Sequence, residues 1–323
     1  MAKRTAYKII AAIIICVIVF FTIRCFFLSD SNEKKAVTIK YGQGVSSVAA
    51  VLKENKLIRS KKLFVVWAKI SGCESKIKAG YYEFSKKDGT FKILKALKDG
   101  SQSLVKITIP EGSSVKQTAD IISRKIAVNR EVFINAAAKY EGYLMPETYF
   151  ISPTLDEEQI IQIMRKEFDD KVTPEMYERA REIDVSMKDV IILASIIEKE
   201  AVDPKERAII AAVFYNRLKK RIRLESCATV LYAMGVNKAK LTLEDTEFDS
   251  PYNTYRHFGL PPAPICSPGI ESIKAALYPA NTGSLFFVSR GNGSHFFAES
   301  LDEHIKNRRE AKKIQRQKNK EAK

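Results

Sequence analysis

One glutamate occupies a position where a carboxyl group could do acid–base chemistry. In the segment 186–217 (SMKDVIILASIIEKEAVDPKERAIIAAVFYNR), Glu198 shares one predicted helical face with apolar or small residues at three- and four-residue spacing, namely Ile191, Ala194, Ser195, Ala201 and Val202. Burying an ionised carboxylate is costly, so such a group is paired or is held as the neutral acid. A glutamic acid that is neutral near pH 7 can protonate the oxygen of a glycosidic bond, which makes Glu198 a candidate general acid.

Two other roles for Glu198 stay open at this level. Its carboxylate can pair with Lys199 or Arg217, or it can point into solvent near the end of the helix. Lys199 and Glu200 point elsewhere around the helix and are weaker candidates for the acid. The spacing therefore nominates Glu198 without deciding between a catalytic and a structural carboxylate.

The elements that must position this carboxyl group are two helices separated by a break at Asp203-Pro204. Ser186 and Asp189 have the spacing of a capping box at the start of the first helix. Asp203 offers a new N-cap, Pro204 suits the first helical position, and Glu206 completes a second capping box. We expect the second helix to end near Lys219-Lys220. The break therefore falls just after the candidate acid.

Composition indicates a folded protein with an anionic neighbour. The chain has 323 residues, 46% of them hydrophobic and 28% charged, which is ordinary for a protein with two or three compact units. The net charge of +16 is unusual and predicts a partner such as nucleic acid, acidic lipid or acidic wall polymer. Part of the excess lies in a basic tail, residues 305–323, which either binds an anionic partner or serves only solubility.

The N-terminal sequence predicts a single-pass membrane anchor. Residues 1–8 carry three basic side chains, and residues 9–28 (IIAAIIICVIVFFTIRCFFL) form an apolar run that is long enough to span a bilayer, with Arg24 as its single charge. The run is too long for a cleaved signal peptide and lacks a small-x-small cleavage site. Basic residues ahead of the span predict a cytoplasmic N-terminus, followed by a linker over 29–35 and an extracytoplasmic remainder.

Several classes of function are excluded on sequence grounds. An exported domain does not meet chromosomal DNA, and the chain has no zinc finger, RNA-binding aromatic signature or phosphate-binding glycine loop, so we expect no nucleic acid partner. The cysteines and histidines show no CxxC pair and no metal-ligand spacing, so we expect no metal and no cofactor. Three cysteines outside the apolar run argue against a disulfide framework but allow one bridge.

Two segments of the chain resemble each other. Residues 37–52 (VTIKYGQGVSSVAAVL) and 105–122 (VKITIPEGSSVKQTADII) match at an offset of 70, and each predicts a strand, a glycine turn and an amphipathic helix, with a second helix after it. Residues 79–84 predict a strand, and residues 90–100 predict a helix closed by a glycine. The match indicates a duplicated module or a chance similarity between common units.

The first module, residues 36–104, resembles a LysM-like domain, the small fold that binds glycans containing N-acetylglucosamine. Tyr81 and Tyr82 lie in its predicted second strand. Their rings can stack on sugars or belong to the core of the module, and the sequence leaves both roles open.

The C-terminal half combines helices with one long loop and a hairpin. Residues 156–182 predict helices, with Thr173-Pro174 restarting one, and residues 223–235 predict a loop leading into a short helix. Five prolines in 250–277 exclude regular structure until Pro268 opens a helix, and such loops tend to line functional sites. Residues 284–300 predict a hairpin that turns at Gly-Asn-Gly.

Seven segments in this order resemble the MltG (YceG-like) family of endolytic murein transglycosylases. They are EGYLMPETY (141–149), ASIIEKEA (194–201), VFYNRL (213–218), ESCATVLYAMG (225–235), SPYNTY (250–255), GLPPAPICSPG (259–269) and FFVSRGNGSHFFAES (286–300). The resemblance implies an α+β protein with an N-terminal transmembrane helix, a small LysM-like α/β module and a mixed α+β YceG-like catalytic domain over 105–304. Within that domain, residues 105–140 would be the second copy of the module.

The reaction that the resemblance implies is non-hydrolytic cleavage of the β-1,4 bond between N-acetylmuramic acid (MurNAc) and N-acetylglucosamine (GlcNAc) inside a glycan strand. The product carries a 1,6-anhydro ring. An ordinary glycosidase needs two carboxylates, whereas here the C6 hydroxyl of the substrate attacks, so one glutamate suffices. The family's catalytic glutamate matches the first Glu of ASIIEKEA, which is Glu198, the residue that the helical face also selects.

The same resemblance implies four substrate-binding residues. Tyr252, Asn253 and Tyr255 match the YNTY motif, whose amide and hydroxyl groups can hold an N-acetyl group or stabilise an oxocarbenium charge. Glu225 stands where the family more often has glutamine, so it is either a hydrogen-bonding group or a second charge. If Glu225 lies close to Glu198, a negative charge on Glu225 would favour the neutral form of Glu198.

The implied partners are peptidoglycan glycan strands, the cytoplasmic membrane, and peptidoglycan synthases or penicillin-binding proteins, with termination of strand elongation as the role. The alternative is a non-catalytic peptidoglycan-binding or scaffolding membrane protein of the wall-synthesis machinery. A membrane-surface binding protein that uses the basic tail and a conventional hydrolase are two further alternatives. The reaction products and the effect of Glu198→Gln distinguish among these functions.

Overall fold

The computed structural model describes residues 33–40, 42–100, 103–236, 238 and 241–321. Helices and short strands alternate along these residues, which confirms the predicted mixed α+β class. The apolar run over 9–28 lies outside the described residues. Within the described residues, no helix is both long enough and apolar enough to cross a bilayer.

The strands within the described residues pair two by two. β1 (Lys34–Ile39) pairs antiparallel with β2 (Gly80–Ser85), β3 (Val105–Thr108) pairs with β4 (Thr148–Ile151), and β5 (Phe286–Ser289) pairs antiparallel with β6 (His295–Ala298). The α-helices there are α1 (Val45–Glu54), α2 (Lys61–Ile70), α3 (Thr90–Asp99), α4 (Val115–Ser123), α5 (Arg130–Ala137), α6 (Glu157–Lys171), α7 (Pro174–Glu182), α8 (Met187–Glu200), α9 (Arg207–Lys219), α10 (Cys227–Met234), α11 (Leu243–Thr246), α12 (Ile270–Leu277) and α13 (Leu301–Glu321).

The chain forms two compact units. The first consists of the described residues up to Lys106 together with Phe150–Leu155, and the second consists of Ile107–Tyr149 and the residues from Asp156 onward. In the first unit, β1, α1, α2 and β2 follow one another and bury a common core. Tyr82 belongs to that core, since it is fully buried and its hydroxyl donates to the carbonyl of Lys78. Tyr81 is half-buried.

Where the structure describes them, the two similar segments adopt the same local structure. Gly42 and Gly112 both have positive φ, +78° and +75°, a conformation that favours glycine, and the helix after each turn begins at Val45 and Val115 respectively. The turn and the helix start therefore keep the offset of 70 that the sequence shows.

The core of the second unit surrounds α8, which packs against α7, α9, α10 and α12. Residues 190–197 of α8 are buried without interruption, because neighbouring elements cover several sides of this helix. The predicted apolar stripe, which covers one face of α8, is therefore narrower than the buried surface of this helix. It was also too long, because α8 ends at Glu200 and Val202, beyond the helix, is 73% exposed.

The predicted caps at Ser186 and Asp203 are confirmed, whereas the two predicted capping boxes do not form. Ser186 accepts the N–H of Asp189 at the start of α8. After it, Pro204–Glu206 form a 3₁₀ turn that is capped by Asp203, and α9 begins only at Arg207. Glu206 makes no capping box, because its carboxylate accepts the N–H of His295 and contacts the Nδ1 atom of that residue.

The helix predicted to open at Pro268 begins two residues later. Gly269 is the N-cap of α12, and the first helical residue is Ile270. Ser267, which precedes the proline, is bound through its backbone to Ser113 and is not a helix cap. At the C-terminal end, the predicted basic tail is part of α13, whose Ala311 is buried and whose Asn307 donates to the carbonyl of Phe297 in β6.

Candidate active site

Glu198 lies near the C-terminal end of α8, and its side chain is only 7% exposed. Ser195, one turn earlier, is fully buried; its hydroxyl donates to the carbonyl of Ile192 (2.7 Å) and accepts the N–H of Ile265 (3.1 Å). Residues three apart share a helical face, so this bond ties the proline-rich loop to the face that carries Glu198.

Two groups contact the Glu198 carboxylate. The N–H of Gly269 donates to Oε2 at 3.0 Å, and Nη2 of Arg207 lies 3.6 Å from Oε1. Gly269 is the N-cap of α12, so the carboxylate lies at an end of this helix where amide groups lack partners within the helix. A backbone amide and a guanidinium group thus orient the carboxylate.

The ionic partner of Glu198 is neither of the two residues that the spacing predicts. Nζ of Lys199 donates to the carbonyl of Gly112 at 3.2 Å, and Arg217 pairs with Glu225. Arg207 is the first residue of α9, which packs against α8. Spacing along one helix cannot find such a partner, because the pair forms between two helices.

A second carboxylate lies beside the first. Oε2 of Glu111 is 3.8 Å from Nη2 of Arg207, so one guanidinium group contacts two carboxylates. Burial and the negative charge of Glu198 raise the pKa of Glu111, while Arg207 acts in the opposite direction. The Glu111 side chain is 48% exposed and lies over Gly269, where a Cβ atom would come within 2.0 Å of Oε1 of Glu111.

The turn that carries Glu111 is fixed by backbone contacts. Gly112 donates to the carbonyl of Ser267, and the N–H of Ser267 donates to the carbonyl of Ser113, each at 2.9 Å. A Cβ atom at Gly112 would lie 3.6 Å from Cγ of Glu198. The glycine turn of the second repeated segment therefore packs directly against the candidate acid.

A third carboxylate, Glu141, binds the start of the helix that follows this turn. Its two oxygens accept the N–H of Val115, the first residue of α4, at 3.1 and 3.2 Å, and the hydroxyl of Tyr232 donates to Oε2 at 3.3 Å. Burial raises the pKa of Glu141 to about 7, and the bonds from Val115 and Tyr232 oppose that effect only in part. Glu141 opens the EGYLMPETY motif, but no pattern in the sequence singles it out.

Tyr252 lies near Tyr232 and Glu141. Its ring is half-buried, and the ring centroid lies 5.1 Å from that of Tyr232. Burial, followed by the negative charge of Glu141, raises the pKa of Tyr252. The thiol of Cys266 is within electrostatic reach of both Glu141 and Glu198, so these residues occupy one region of the second unit.

The hydrogen bonds of the Asn253 side chain lie within its own loop, and its predicted contact with substrate stays a prediction. It is fully buried, its Nδ2 atom donates to the carbonyls of Thr246 (2.9 Å) and Phe248 (2.8 Å), and its Oδ1 atom accepts the N–H of Tyr255 (3.0 Å). Both amide hydrogens are therefore engaged by the loop itself. Asn253 therefore holds the loop in shape.

The neighbouring Tyr255 and Thr254 connect the YNTY loop to the start of α10. The hydroxyl of Tyr255 lies 3.2 Å from Sγ of Cys227, and burial raises the pKa of this tyrosine. Thr254 is buried; its Oγ1 accepts the N–H of Ser226 at 3.0 Å and lies 2.9 Å from Oγ1 of Thr229. The loop and the helix start are thus held together by hydroxyl groups.

Glu225 has a positive φ of +54°, and its carboxylate pairs with Arg217. Glu225 therefore has a cationic partner in α9, and its contact with substrate stays a prediction. Glu200, in contrast, is the carboxylate of α8 that turns toward α10: its Oε1 accepts the hydroxyl of Ser226 at 2.6 Å, and burial raises its pKa.

The geometry separates the predicted residues into groups. Glu198 lies with Glu111 and Arg207, two residues that sequence reasoning missed. Tyr252 lies with Glu141, whereas Tyr255 and Glu225 lie nearer the start of α10. Chemically, the first group offers a nearly buried carboxyl group that can give and take a proton, with a cation and an amide to stabilise its charged form.

Comparison with known proteins places this arrangement in a family. The sequence profile of the YceG-like family matches residues 37–310. An endolytic murein transglycosylase of Bacillus subtilis is 36% identical over 306 residues, which cover 86% of this chain and 84% of the relative. An endolytic murein transglycosylase of Streptococcus pneumoniae is 30% identical over 325 residues, which cover 86% of this chain and 59% of that protein.

A crystal structure of a yceG-like protein from Listeria monocytogenes shares the fold. It is 35% identical in sequence, covers 85% of this chain and 99% of its own, and superimposes with a TM-score of 0.58. The profile match and the identity to full-length relatives agree with the motifs around the candidate site. This chain is a member of the YceG-like family.

Proposed function

We propose that this protein is an endolytic lytic transglycosylase that cleaves the β-1,4 bond between MurNAc and GlcNAc within peptidoglycan glycan strands. Relatives named endolytic murein transglycosylase match 86% of the chain. The observation that carries the proposal is Glu198, a carboxylate with 7% exposure at the end of a core helix, in the segment ASIIEKEA that matches the family's catalytic motif. It acts as the single catalytic acid and base.

In the proposed reaction, Glu198 gives a proton and then regains one. Its carboxyl proton moves to the glycosidic oxygen as the bond between that oxygen and C1 of MurNAc breaks. The C6 hydroxyl of the same MurNAc attacks C1 and closes the 1,6-anhydro ring, and the hydroxyl proton returns to Glu198. No water is consumed, so no second carboxylate is needed to activate one.

The contacts of Glu198 support this role. After the first proton transfer its carboxylate carries a negative charge in a site with little exposure to water. Nη2 of Arg207 at 3.6 Å and the N–H of Gly269 at 3.0 Å are in position to stabilise that charge. Tyr252 and Tyr255 remain the proposed sugar contacts, with Glu225 near Tyr255, and the amide of Asn253 supports the loop.

We further infer that the protein is anchored in the cytoplasmic membrane by residues 9–28, with the N-terminus inside and the catalytic unit outside. The apolar run and the basic residues ahead of it support this topology. The strand–helix–helix–strand order of the first unit supports the proposal that it is a LysM-like module. Neighbouring peptidoglycan synthases or penicillin-binding proteins would supply the nascent strands whose elongation this enzyme terminates.

The test is mass spectrometry of peptidoglycan that has been incubated with the full-length protein in detergent, beside its Glu198→Gln and Glu225→Gln variants. We expect internal fragments that end in 1,6-anhydro-MurNAc from the wild type. Glu198→Gln should yield none, because an amide cannot donate the proton. Glu225→Gln changes the same charge at a carboxylate that pairs with Arg217, and should still give anhydro ends.

Three results would contradict the proposal. Fragments with reducing ends would indicate a hydrolase, which requires a second carboxylate, and their loss in Glu225→Gln would identify it. Equal release of anhydro fragments by the wild type and Glu198→Gln would remove Glu198 from the mechanism. Absence of any cleavage, with retained binding to wall sacculi, would favour a non-catalytic scaffold.

A further inference from the structure

One guanidinium group in the site is shared between two carboxylates. Nη2 of Arg207 lies 3.6 Å from Oε1 of Glu198 and 3.8 Å from Oε2 of Glu111, and both distances exceed that of a charge-assisted hydrogen bond. The Nε atom of Arg207 is buried and has no hydrogen-bond partner within the described residues. Arg207 therefore does not form the close bidentate pair that arginine favours with a single carboxylate.

We propose that Glu111 is a positioning residue for Glu198: by sharing Arg207 it prevents a close ion pair between Arg207 and Glu198, so that Glu198 can hold the proton it donates. The inference rests on the proposed function, because it takes Glu198 as the acid. A carboxylate in a bidentate pair with arginine retains its negative charge and is a poor proton donor near neutral pH. A second carboxylate at the same guanidinium weakens that pair while the cation stays in the site.

The charges around Glu111 are consistent with this competition. Burial and the charge of Glu198 are the main causes that raise the pKa of Glu111, Arg207 opposes them, and Glu271 and Glu147 add smaller effects in the same direction as Glu198. These effects agree with the geometry, in which Glu111 and Glu198 lie on either side of the same guanidinium group.

The groups that face the site from α8 and from the proline-rich loop do not replace Arg207. Nζ of Lys199 is directed to the carbonyl of Gly112 at 3.2 Å. The thiol of Cys266 donates to the carbonyl of Ser195 at 3.3 Å, and burial raises its pKa. Within the described residues, the ion pairs of Glu198 and Glu111 at this site are those with Arg207.

The backbone holds Glu111 where its carboxylate can compete with Glu198 for Arg207. Its neighbour Gly112 is fixed to Ser267, and the Glu111 carboxylate lies in the space that a side chain at residue 269 would fill. Gly269 has φ −69°, so alanine is allowed there by the backbone. Gly269→Ala therefore provides a second perturbation, which displaces the Glu111 carboxylate without altering any charge.

The experiment compares the pH dependence of kcat for the release of anhydro-terminated fragments by the full-length enzyme in detergent. Activity of an acid catalyst falls as pH rises through the apparent pKa of that acid. We expect Glu111→Gln to move this fall to lower pH by about 0.5 to 1 unit, which makes kcat about 3- to 10-fold lower on the alkaline side and nearly unchanged on the acidic side. Arg207→Gln should move the fall to higher pH.

The controls separate positioning from a structural role. Glu271→Gln removes a nearby carboxylate that pairs with Lys274 and not with Arg207, and should leave the profile within about 0.2 pH unit of the wild type. Gly269→Ala should shift the profile in the same direction as Glu111→Gln. Glu111→Asp, which keeps the charge, should recover part of the wild-type profile.

Three outcomes would overturn the inference. The first is a loss of kcat in Glu111→Gln that is equal at all pH values, and the second is a shift in the same direction for Glu111→Gln and Arg207→Gln. The third is a wild-type product with reducing ends that disappears in Glu111→Gln, which would make Glu111 a hydrolytic catalyst. Failure of the proposed function itself is distinguishable, because the wild type would then release no anhydro-terminated fragments at any pH.

Discussion

Glu141→Gln is expected to remove a pH dependence of stability that one buried carboxyl group causes. Glu141 holds the start of α4 through the N–H of Val115 and accepts the hydroxyl of Tyr232. Burial raises its pKa from 4.5 to about 7. Glutamine at this position keeps an acceptor oxygen of similar placement and carries no charge, so the substitution isolates the cost of ionising a buried group.

The sign and size of this pH dependence follow from the raised pKa of Glu141. A group whose pKa is higher in the folded state stabilises that state fully below its unfolded value, here near 4.5, and this stability is lost as pH rises through the folded value near 7. At about 1.4 kcal/mol for each pH unit between the two values, the wild type loses about 3 kcal/mol of unfolding free energy through Glu141 by pH 8.5. The Glu141→Gln variant does not lose this free energy, because its side chain does not ionise.

Urea denaturation at pH 5 and pH 8.5 measures this difference. We expect Glu141→Gln and the wild type to have similar unfolding free energies at pH 5, and the variant to be more stable by up to about 3 kcal/mol at pH 8.5. Glu178→Gln, at an exposed position of α7, serves as the control for loss of one negative charge. A difference between variant and wild type that is the same at both pH values would refute the reasoning, as would a variant that is less stable at pH 8.5.

Two further substitutions test the framework of the site. Asn253→Ala should lower the unfolding free energy by about 2 to 4 kcal/mol, because two donated bonds and one accepted bond are lost at a fully buried position; a raised KM with unchanged stability in urea would instead identify a substrate contact. Ser195→Ala should cost about 1 to 3 kcal/mol, because it leaves the buried N–H of Ile265 without its acceptor. Hydrogen exchange of that amide should then become faster, and an unchanged rate would contradict the assignment.

Features that depend on a few neighbouring residues could be predicted from the sequence. The cap at Ser186, the restart of a helix at Pro174, the left-handed Gly100 that ends α3 and the hairpin after residue 284 all appear where the residues indicate them. Each is specified by local backbone chemistry, such as a hydroxyl that accepts an amide or a glycine that adopts positive φ. Distant parts of the chain do not compete for these groups.

Predictions failed where a distant group took the partner that local spacing assigns. Glu206 has the position of a capping-box carboxylate, but His295, almost ninety residues later, uses that carboxylate instead. For Asn253 the substrate contact stays a prediction, because its amide donates to the nearby carbonyls of Thr246 and Phe248 and the motif alone does not indicate those bonds. A motif match predicts where a residue lies, and only the tertiary structure shows which of its atoms remain available to a ligand.

The residues missed at the site differ in whether any sequence signal could have found them. No sequence signal identifies Arg207, because its contact with Glu198 forms between α9 and α8. Glu111 does carry one: in the two similar segments the turn glycines correspond, but Gly42 follows Tyr41 whereas Gly112 follows Glu111. A comparison of the two segments therefore brings out Glu111 as a carboxylate at one of two similar turns. The two turns share a left-handed glycine, and the second turn packs against Glu198, with which Glu111 shares Arg207.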